Sequence, residues 1–298
     1  MPGRQTYIMR VLITGGAGFL GSHVASYFAD NGHEVTVFDQ NPVDGNFKTI
    51  IGDLTKATDV AAAVKGNDTV VHIGAIGDVY LAGEQPALAS AVNVVGSANI
   101  AEAALEQGCR VVYASTWEVY GEPEYQPMDE KHPTNPDHPY NITKLAGERI
   151  LMAASELRGL PVVALRLGTA FGSGLRPNSV FRIFIDRAKA GEPITVQGGG
   201  TQGRQFTHAR DISRAFLMAA ESEISGGVYN TTAPEVTSIK ELAELVVSRF
   251  PTELTFGPAR AGDVPAASVS AVKIEEELGW KAEVPFEEGL DELIATLE

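Results

Sequence analysis

Cysteine is almost absent from this chain, because Cys109 is the single one among 298 residues. One cysteine forms no internal disulfide, which excludes a disulfide-stabilised secreted scaffold and favours a reducing, cytoplasmic location. Long apolar runs are missing as well, although 44% of the residues are hydrophobic. Because the first residues also carry no apolar segment of signal-peptide length, we expect a soluble protein that is neither secreted nor inserted in a membrane.

Positive charge is scarce. Lys and Arg number 23 against 38 Asp and Glu, which gives a formal net charge of −15 at pH 7. Binding to nucleic acid or to an anionic membrane surface needs a basic face, so this balance excludes both as partners. Any anionic ligand must therefore be held by a few local arginines.

Glycine, in contrast, is concentrated near the start of the chain. An apolar segment at residues 11–13 is followed by Gly15, Gly18 and Gly21 and then by a helical pattern, and a second apolar segment ends at Asp39. This order is typical of dinucleotide binding, since the glycines permit a tight turn, close approach of a pyrophosphate and close packing of the helix on the strand. Asp39 can accept hydrogen bonds from a ribose 2′-hydroxyl and would repel a 2′-phosphate, which favours NAD over NADP. We predict that the cofactor is bound by Gly15, Gly18, Phe19, Leu20, Gly21 and Asp39.

Apolar runs alternate with segments of helical periodicity up to residue 167. This alternation predicts an α/β fold with a doubly wound, buried parallel sheet of the Rossmann type. After Arg166 the pattern breaks into shorter elements, among which Ser238 and Glu241 fit a capping box at a helix start. We expect a dinucleotide-binding domain over residues 1–167 and a smaller α/β substrate-binding domain over 168–298, with part of 206–232 open to return to the first.

Tyr140 and Lys144 stand four residues apart in a helical pattern. This spacing places a phenol and an ammonium on one face of a helix, where the cation favours the phenolate and makes Tyr140 a candidate base. The apolar strand at residues 111–114 ends in Ser115 and Thr116, at the sheet edge where doubly wound folds bind ligands. Either hydroxyl can act beside Tyr140.

Together these motifs resemble the extended short-chain dehydrogenases/reductases, specifically the NAD-dependent nucleotide-sugar epimerase/dehydratase family, over essentially the whole chain. The resemblance implies further cofactor contacts, by Asp53, Leu54, Ala75, Asn93, Tyr140 and Lys144. It also makes Thr116 the hydroxyl that pairs with Tyr140 at the substrate's 4-position. Structural interpretations stay open, because Asp53 can cap a helix, His72 can be a satisfied core histidine and Asn93 can brace backbone.

The resemblance implies a first step in which Tyr140 takes the proton of a sugar hydroxyl while hydride leaves to NAD, giving a 4-keto sugar. Lys144 holds the nicotinamide ribose and Thr116 orients the hydroxyl. An epimerase then returns the hydride to the other face, with no further acid or base. We therefore expect a nucleotide-sugar 4-epimerase of the UDP-glucose/UDP-galactose type.

Glu118 leaves open a different reaction after the first oxidation, namely dehydration or decarboxylation of the 4-keto sugar. Sugar 4,6-dehydratases of the family carry Asp-Glu after the catalytic Thr, whereas this chain has Trp117 and Glu118. UDP-glucuronate decarboxylases carry Thr-Ser-Glu there, which Glu118 also fits. A dehydratase or decarboxylase using Glu118 is thus the alternative, and a non-enzymatic NAD-binding regulator is a third possibility that the intact Tyr140 and Lys144 disfavour.

By the same resemblance, the substrate is a nucleotide-diphosphate sugar, with a UDP-sugar expected. The predicted substrate contacts are Ser115, Thr169, Asn178, Val196, Gln197, Arg204, Arg260 and Asp263. Arg204 and Arg260 would neutralise phosphates through forked hydrogen bonds. Thr169 stands where the family usually has Asn. The resemblance also implies a homodimer formed by the helices at 86–105 and 139–157, and we expect no metal site.

Overall fold

The computed structural model describes residues 8–43, 47–258 and 266–297. The strands are β1 (Arg10–Thr14), β2 (Glu34–Asp39), β3 (Lys48–Ile51), β4 (Thr69–His72), β5 (Arg110–Thr116), β6 (Val162–Leu167), β7 (Thr169–Phe171), β8 (Ile194–Gln197), β9 (Gly203–Arg204), β10 (Phe206–His208), β11 (Gly227–Thr231), β12 (Thr237–Ser238) and β13 (Leu254–Gly257). The helices are α1 (Phe19–Asp30), α2 (Ala57–Val64), α3 (Val79–Glu84), α4 (Pro86–Ser90), α5 (Gly96–Gln107), α6 (Pro139–Arg158), α7 (Val180–Lys189), α8 (Ala209–Glu221), α9 (Ile239–Arg249), α10 (Val272–Leu278) and α11 (Phe286–Ala295).

A seven-stranded sheet has the order β11-β6-β5-β4-β1-β2-β3. The pairings of β1 with β2 and β4, of β2 with β3 and of β4 with β5 are all parallel. All residues of β4 and β6 are buried, as continuous apolar runs require in a sheet whose faces are covered by helices. The predicted α/β fold is thereby confirmed. Strand order reverses between β1 and β4, which places a ligand crevice at the carboxyl ends of these strands.

The chain divides into two compact units. Unit 1 comprises Met1–Gly121, Thr134–Arg166 and Ser213–Tyr229, and unit 2 comprises Glu122–Pro133, Leu167–Ile212 and Asn230–Glu298. Residues 122–133 thus group with unit 2, although the sequence interpretation assigned them to the first domain. Residues 213–229 group with unit 1 and lie within the segment left open.

One helical run in the described part of the chain, Pro86–Gln107, is long and apolar enough to span a membrane by length and composition alone. It consists of α4, a π-helical turn at Ala91–Val95 and α5. Ile100 and Ala104 are fully buried in the core of unit 1, together with Leu12 and Val111 of the sheet. Packing inside unit 1 therefore accounts for part of the apolar character of this run.

Unit 2 has a separate aromatic core. The rings of Phe171 and Phe181 stack with centroids 5.2 Å apart, and those of Phe206 and Phe286 with centroids 5.3 Å apart. The capping box predicted at the start of α9 is confirmed, since Ser238 Oγ accepts the Glu241 N–H and the Glu241 carboxylate accepts the Ser238 N–H. All of these contacts lie within unit 2.

Candidate active site

Glycine is required at the turn between β1 and α1. Gly15 has a φ of 75°, and a Cβ there would lie 2.6 Å from the Gly74 Cα. A Cβ on Gly21 would collide with the Gly15 carbonyl oxygen, and one on Gly18 would lie 3.2 Å from that oxygen. The backbone passes through this turn only without side chains, which leaves a cradle lined by main-chain amides.

Helix α1 begins directly after this turn. Its N-cap is Gly18, with φ −82° and ψ 168°, and glycine offers no side chain to cap the first turn. The amides of Phe19 and Leu20 belong to that first turn, whose N–H groups have no intrahelical acceptor. With the positive end of the helix dipole they form an anion site. The turn and helix end therefore fit the pyrophosphate of a dinucleotide.

Asp39 lies at the carboxyl end of β2, beside the glycine turn. Its Oδ2 accepts the N–H of Ala17 at 3.1 Å, and its Oδ1 accepts the N–H of Asn41 at 3.0 Å. Each carboxylate oxygen has a second lone pair, so the side chain can still accept hydrogen bonds from ribose hydroxyls. The two amides fix the carboxylate where the sequence predicts the ribose.

Asp53 closes a turn immediately before α2. Its Oδ1 accepts hydrogen bonds from the Thr55 amide at 2.9 Å and from the Thr55 hydroxyl at 2.8 Å. The amide hydrogen bond lowers the pKa of Asp53 below its ordinary value. The neighbouring Leu54 is buried and its carbonyl accepts from Asn99 Nδ2 at 2.8 Å. Asp53 thus has the structural role of a turn cap, and contact of Asp53 and Leu54 with the cofactor stays a prediction.

His72 is part of a directed chain of buried hydrogen bonds. The Gly74 amide donates to Thr14 Oγ1 at 3.0 Å, which lies 2.8 Å from His72 Nδ1. His72 Nε2 lies 3.1 Å from Ser97 Oγ, which donates to the Asn93 carbonyl at 2.6 Å. The Ser97 proton is thereby used, so His72 must donate from Nε2 and accept at Nδ1 as a neutral ring. Burial and the buried lysine of α6 lower the pKa of His72 to about 3, which agrees with this assignment.

Asn93 braces the loop that follows β4. Its Oδ1 accepts the Ile76 N–H at 2.7 Å, and its Nδ2 donates to Thr143 Oγ1 at 2.9 Å and to the Ile76 carbonyl at 3.3 Å. The loop, which includes the partly exposed Ala75, is thereby tied to α6. Asn93 therefore acts on its surroundings through Ile76 and Thr143.

Tyr140 and Lys144 lie one helical turn apart at the start of α6. His138 caps this helix, because its Nδ1 accepts the Tyr140 N–H at 3.2 Å. Lys144 is only 3% exposed, and its Nζ lies 4.3 Å from the centre of the Tyr113 ring. Burial lowers the pKa of Lys144 to about 7, against the opposing effect of the Glu148 carboxylate. The Tyr113 hydroxyl donates to the Lys144 carbonyl at 3.2 Å, which joins β5 to α6.

Thr116 ends β5 and begins a short 3₁₀ turn at Trp117–Tyr120. Its Oγ1 accepts the Glu118 N–H at 3.2 Å, so the hydroxyl proton is left to be donated elsewhere. Trp117 is buried and Glu118 is half-buried. The turn thus fixes the orientation of the Thr116 hydroxyl and holds Glu118, two residues further along the chain, by its amide.

Ser115 belongs to a buried ionic network that the sequence interpretation missed. Its hydroxyl donates to Glu148 Oε2 at 2.6 Å, and Arg166 binds the same carboxylate through Nε at 3.0 Å and Nη2 at 2.6 Å. Arg166 also lies 4.7 Å above the Tyr120 ring. Burial opposes its charge, but the hydrogen bonds and charge of Glu148 raise the pKa of Arg166 above its ordinary value. The sequence does contain one indication of this network. Glu148 stands four residues after Lys144, on the face of the helix that is predicted to be buried.

Five predicted substrate contacts belong to unit 2: Thr169, Asn178, Val196, Gln197 and Arg204. Asn178 is exposed just before α7, and Arg204 Nη1 donates to a neighbouring main-chain carbonyl at 2.8 Å. The Val196 side chain is fully buried, so only its main chain is left for the predicted contact. Arg260 and Asp263 lie outside the described residues.

A cavity of about 730 Å³ in unit 2 is lined by residues of α9 and α11, including Glu241, Glu244 and Glu287. Carboxylates repel a diphosphate, so this cavity does not suit a nucleotide sugar. No group of three or more His, Cys, Asp or Glu side chains within residues 8–43, 47–258 and 266–297 is arranged to hold a metal ion. The glycine turn and the cluster around Tyr140 are therefore the candidate site.

Comparison with known proteins gives the same class of site. Residues 11–231 match the model of the NAD dependent epimerase/dehydratase family. UDP-glucuronic acid decarboxylase 1 of Danio rerio is 32% identical over 306 residues, which cover 96% of this chain and 72% of that protein. The solved structure of UDP-glucose 4-epimerase from Thermotoga maritima with UDP-glucose is 28% identical with a TM-score of 0.92, covering 97% of this chain and 98% of that one. The structure of MoeE5 in complex with UDP-glucose and NAD is 32% identical with a TM-score of 0.90 and the same coverage.

Fold, glycine turn and tyrosine–lysine helix define an NAD-dependent enzyme of the short-chain dehydrogenase/reductase type. The chain belongs to the NAD dependent epimerase/dehydratase family, whose members here include nucleotide-sugar epimerases and decarboxylases. The family and the cofactor NAD that the sequence predicts are both confirmed.

Proposed function

We propose that this enzyme is a nucleotide-sugar 4-epimerase of the UDP-glucose/UDP-galactose type. The observation that carries the oxidation step of this proposal is the buried Lys144 one helical turn from Tyr140, on a helix joined to β5 by the hydrogen bond from Tyr113. Thr116 ends the same strand with its hydroxyl oriented by the following turn. A base, a cation and a hydroxyl donor are the groups that reversible oxidation of an alcohol needs from the protein.

In this proposal Tyr140 removes the proton from the 4-hydroxyl of the sugar and later returns it. The Lys144 charge stabilises the phenolate, and Thr116 donates a hydrogen bond to the 4-oxygen. NAD, when bound, supplies the acceptor and donor of hydride. Rotation of the 4-keto sugar presents the opposite face of carbon 4 to the returning hydride, which inverts that carbon, while the proton returns to the 4-oxygen. No further side chain has to ionise.

The residues that would hold NAD follow from the cradle after β1. The main-chain amides of the glycine turn and the start of α1 would bind the pyrophosphate, and Asp39 would bind a ribose. Asn93 would act indirectly, by fixing the loop that contains Ala75. The proposed set is Gly15, Gly18, Phe19, Leu20, Gly21, Asp39, Asp53, Leu54, Ala75, Asn93, Tyr140 and Lys144.

We further propose that arginines bind the diphosphate of a UDP-sugar. Planar guanidinium groups pair with phosphate oxygens through two hydrogen bonds, which suits Arg204 and Arg260 in an otherwise acidic protein. The other proposed contacts are Thr169, Asn178, Gln197, Asp263 and the main chain of Val196, whereas the Ser115 hydroxyl donates to Glu148 and is not among them.

The test is conversion of UDP-glucose and UDP-galactose by the purified holoenzyme, without added reductant. Tyr140→Phe should abolish turnover but leave NAD bound, because it removes only the phenolic oxygen and keeps the other proposed cofactor contacts. Tyr27→Phe on α1 is the matched control and should keep full activity. Interconversion by wild type with full activity of Tyr140→Phe would disprove the assignment of the base.

A second candidate function rests on Glu118, whose amide N–H donates to Thr116 Oγ1, the hydroxyl proposed to act with Tyr140. A carboxylate there can abstract a proton from carbon 5, as a dehydratase requires, or act in a decarboxylase. Mass spectrometry of products from UDP-glucose, UDP-galactose and UDP-glucuronate separates these outcomes, since epimerisation leaves the mass unchanged. Solvent deuterium at carbon 5 would favour the dehydratase.

We also propose a homodimer formed through α4–α6. Leu88, Val95 and Ile142 lie in these segments and are 40%, 48% and 49% exposed, although their side chains are large and apolar. Light scattering should give a dimer mass, and Ile142→Lys should shift it toward the monomer. A monomeric wild type at micromolar concentration would rule this interface out.

A further inference from the structure

Glu148 is a fully buried acid that the proposed reaction does not use. It lies on α6 one turn beyond Lys144, in the middle of a helix that also buries the polar Asn141 and Thr143. A buried carboxylate destabilises a fold unless it is paired and hydrogen-bonded. The groups that bind this carboxylate therefore indicate what it does at this place.

The carboxylate joins two strand ends to the helix. Ser115, which directly precedes Thr116 in β5, donates to Oε2 at 2.6 Å, and Arg166 in β6 binds both oxygens at 3.0 and 2.6 Å. β5 and β6 are neighbours in the sheet. Short, charge-assisted hydrogen bonds of this kind hold their partners tightly, so Glu148 fixes the end of β5 relative to α6.

The same carboxylate is the negative charge in the surroundings of Lys144. The titratable and charged groups that face that lysine are Glu148 on α6, Tyr113 on β5 and His72 on β4, with Tyr140 one turn before it on α6 and Arg166 of β6 bound to the Glu148 carboxylate. His72 is neutral, and burial raises the pKa of Tyr113 above its ordinary value, so both are uncharged at neutral pH. Glu148 raises the pKa of Lys144 against the effect of burial.

We propose, building on the function above, that Glu148 is a positioning residue: through Ser115 and Arg166 it holds Thr116 in register with Tyr140, and its charge supports the Lys144 ammonium. Ser115 then serves the site by binding Glu148, in place of direct contact with substrate. A purely structural ion pair would affect stability alone, whereas this role links residue 148 to kcat and to its pH dependence.

The experiment compares Glu148→Gln, Glu148→Asp and Ser115→Ala with wild-type holoenzyme, and Glu221→Gln on α8 is the matched control. Glu148→Gln should lower kcat about 100-fold with KM changed less than about threefold, because the reacting groups are misplaced after binding. Its alkaline limb in the kcat profile should move to lower pH, since the charge that supports the Lys144 proton is gone. Glu148→Asp should restore the wild-type position of that limb and part of kcat.

Ser115→Ala leaves the Glu148–Arg166 pair intact and should fold even where Glu148→Gln does not. It should lower kcat about tenfold with an unchanged alkaline limb, because only the tether of β5 is removed. Wild-type kcat in Ser115→Ala, or a Glu148→Gln enzyme with an unmoved alkaline limb, would overturn the proposal. Glu221→Gln should match wild type in both measurements.

A calorimetric titration of cofactor-free protein with NAD gives a readout besides turnover. Loss of NAD affinity at alkaline pH should occur at lower pH in Glu148→Gln than in wild type, because Lys144 loses its proton earlier. If the wild-type enzyme converts no nucleotide sugar, the proposed function is wrong. The NAD titration alone then tests whether Glu148 supports the charge of Lys144. Identical pH dependence of the two titrations would count against the role of Glu148.

Discussion

Replacing Lys144 by methionine isolates the energetics of one buried charge. The change is best made in a Tyr140→Phe background, where the phenol beside the lysine no longer titrates. Methionine keeps a long, unbranched side chain in the same space but carries no charge. We expect the double variant to be inactive and yet more stable at pH 7 than Tyr140→Phe alone.

The magnitude follows from the lowering of the lysine pKa from 10.5 to about 7. At pH 7 the unfolded chain carries the proton fully and the folded chain carries about half of it, so the lysine destabilises the fold by about 4 kcal/mol. Between these two pKa values the unfolded state binds more protons, so the stability of the lysine-containing protein rises with pH. About 2 kcal/mol of the destabilisation is lost by pH 9.

Urea denaturation followed by circular dichroism at pH 7, 8 and 9 measures this difference. Loss of the contact between Lys144 Nζ and the Tyr113 ring removes about 1–2 kcal/mol from the advantage of methionine. The double variant should then be more stable by about 2–3 kcal/mol at pH 7, and the gap should narrow by about 2 kcal/mol at pH 9. Burial raises the pKa of Tyr113, so that ring does not titrate in this range. A gap independent of pH would refute the reasoning.

Three further outcomes test other parts of the structure. Gly147→Ala places a Cβ 2.7 Å from the Tyr113 hydroxyl and should lower the free energy of unfolding by about 2–3 kcal/mol in urea titrations, whereas Gly77→Ala, with open space around it, should not. Asp39→Ser removes the charge that repels a 2′-phosphate, so calorimetry should show the ratio of NAD to NADP affinity falling about tenfold; an unchanged ratio would contradict the assigned position. Burial raises the pKa of Cys109 to about 11, so a disulfide reagent at pH 8 should modify it about 100-fold more slowly in native protein than in urea.

The fold could be predicted because its signals are local. Each element is specified by residues of its own: the glycine turn, the apolar runs of β1, β2, β4 and β5, and the proline at the start of α6. Together these elements predict a parallel sheet covered by helices. The boundary between the two units was predicted less accurately. Residues 122–133 group with unit 2, through pairings such as that of Met128 with Val269. Contacts between segments so distant in sequence leave no periodic pattern.

The candidate site was predictable where one motif carries it. Tyr140 and Lys144 share a helix, so their spacing suffices. The partners of Ser115 come from α6 and β6, and nothing in the sequence near residue 115 indicates that its hydroxyl binds Glu148. For His72 and Asn93 the sequence could not decide between a cofactor contact and a structural role. The decision depends on their hydrogen-bond partners Thr14, Ser97 and Ile76, which only the tertiary structure brings close.

The choice between epimerase and decarboxylase depends on the second step, in which the 4-keto sugar either takes hydride back at carbon 4 or first loses carbon dioxide. Both begin with the same oxidation, so the groups around Tyr140 cannot distinguish them. The distinction must lie in side chains that contact the sugar beyond carbon 4, of which Trp117 and Glu118 are the nearest along the chain. Glu118→Gln should leave a 4-epimerase active, because the amide N–H that binds Thr116 is retained. Loss of turnover in that variant, with NAD affinity unchanged, would favour the reaction that needs a second carboxylate.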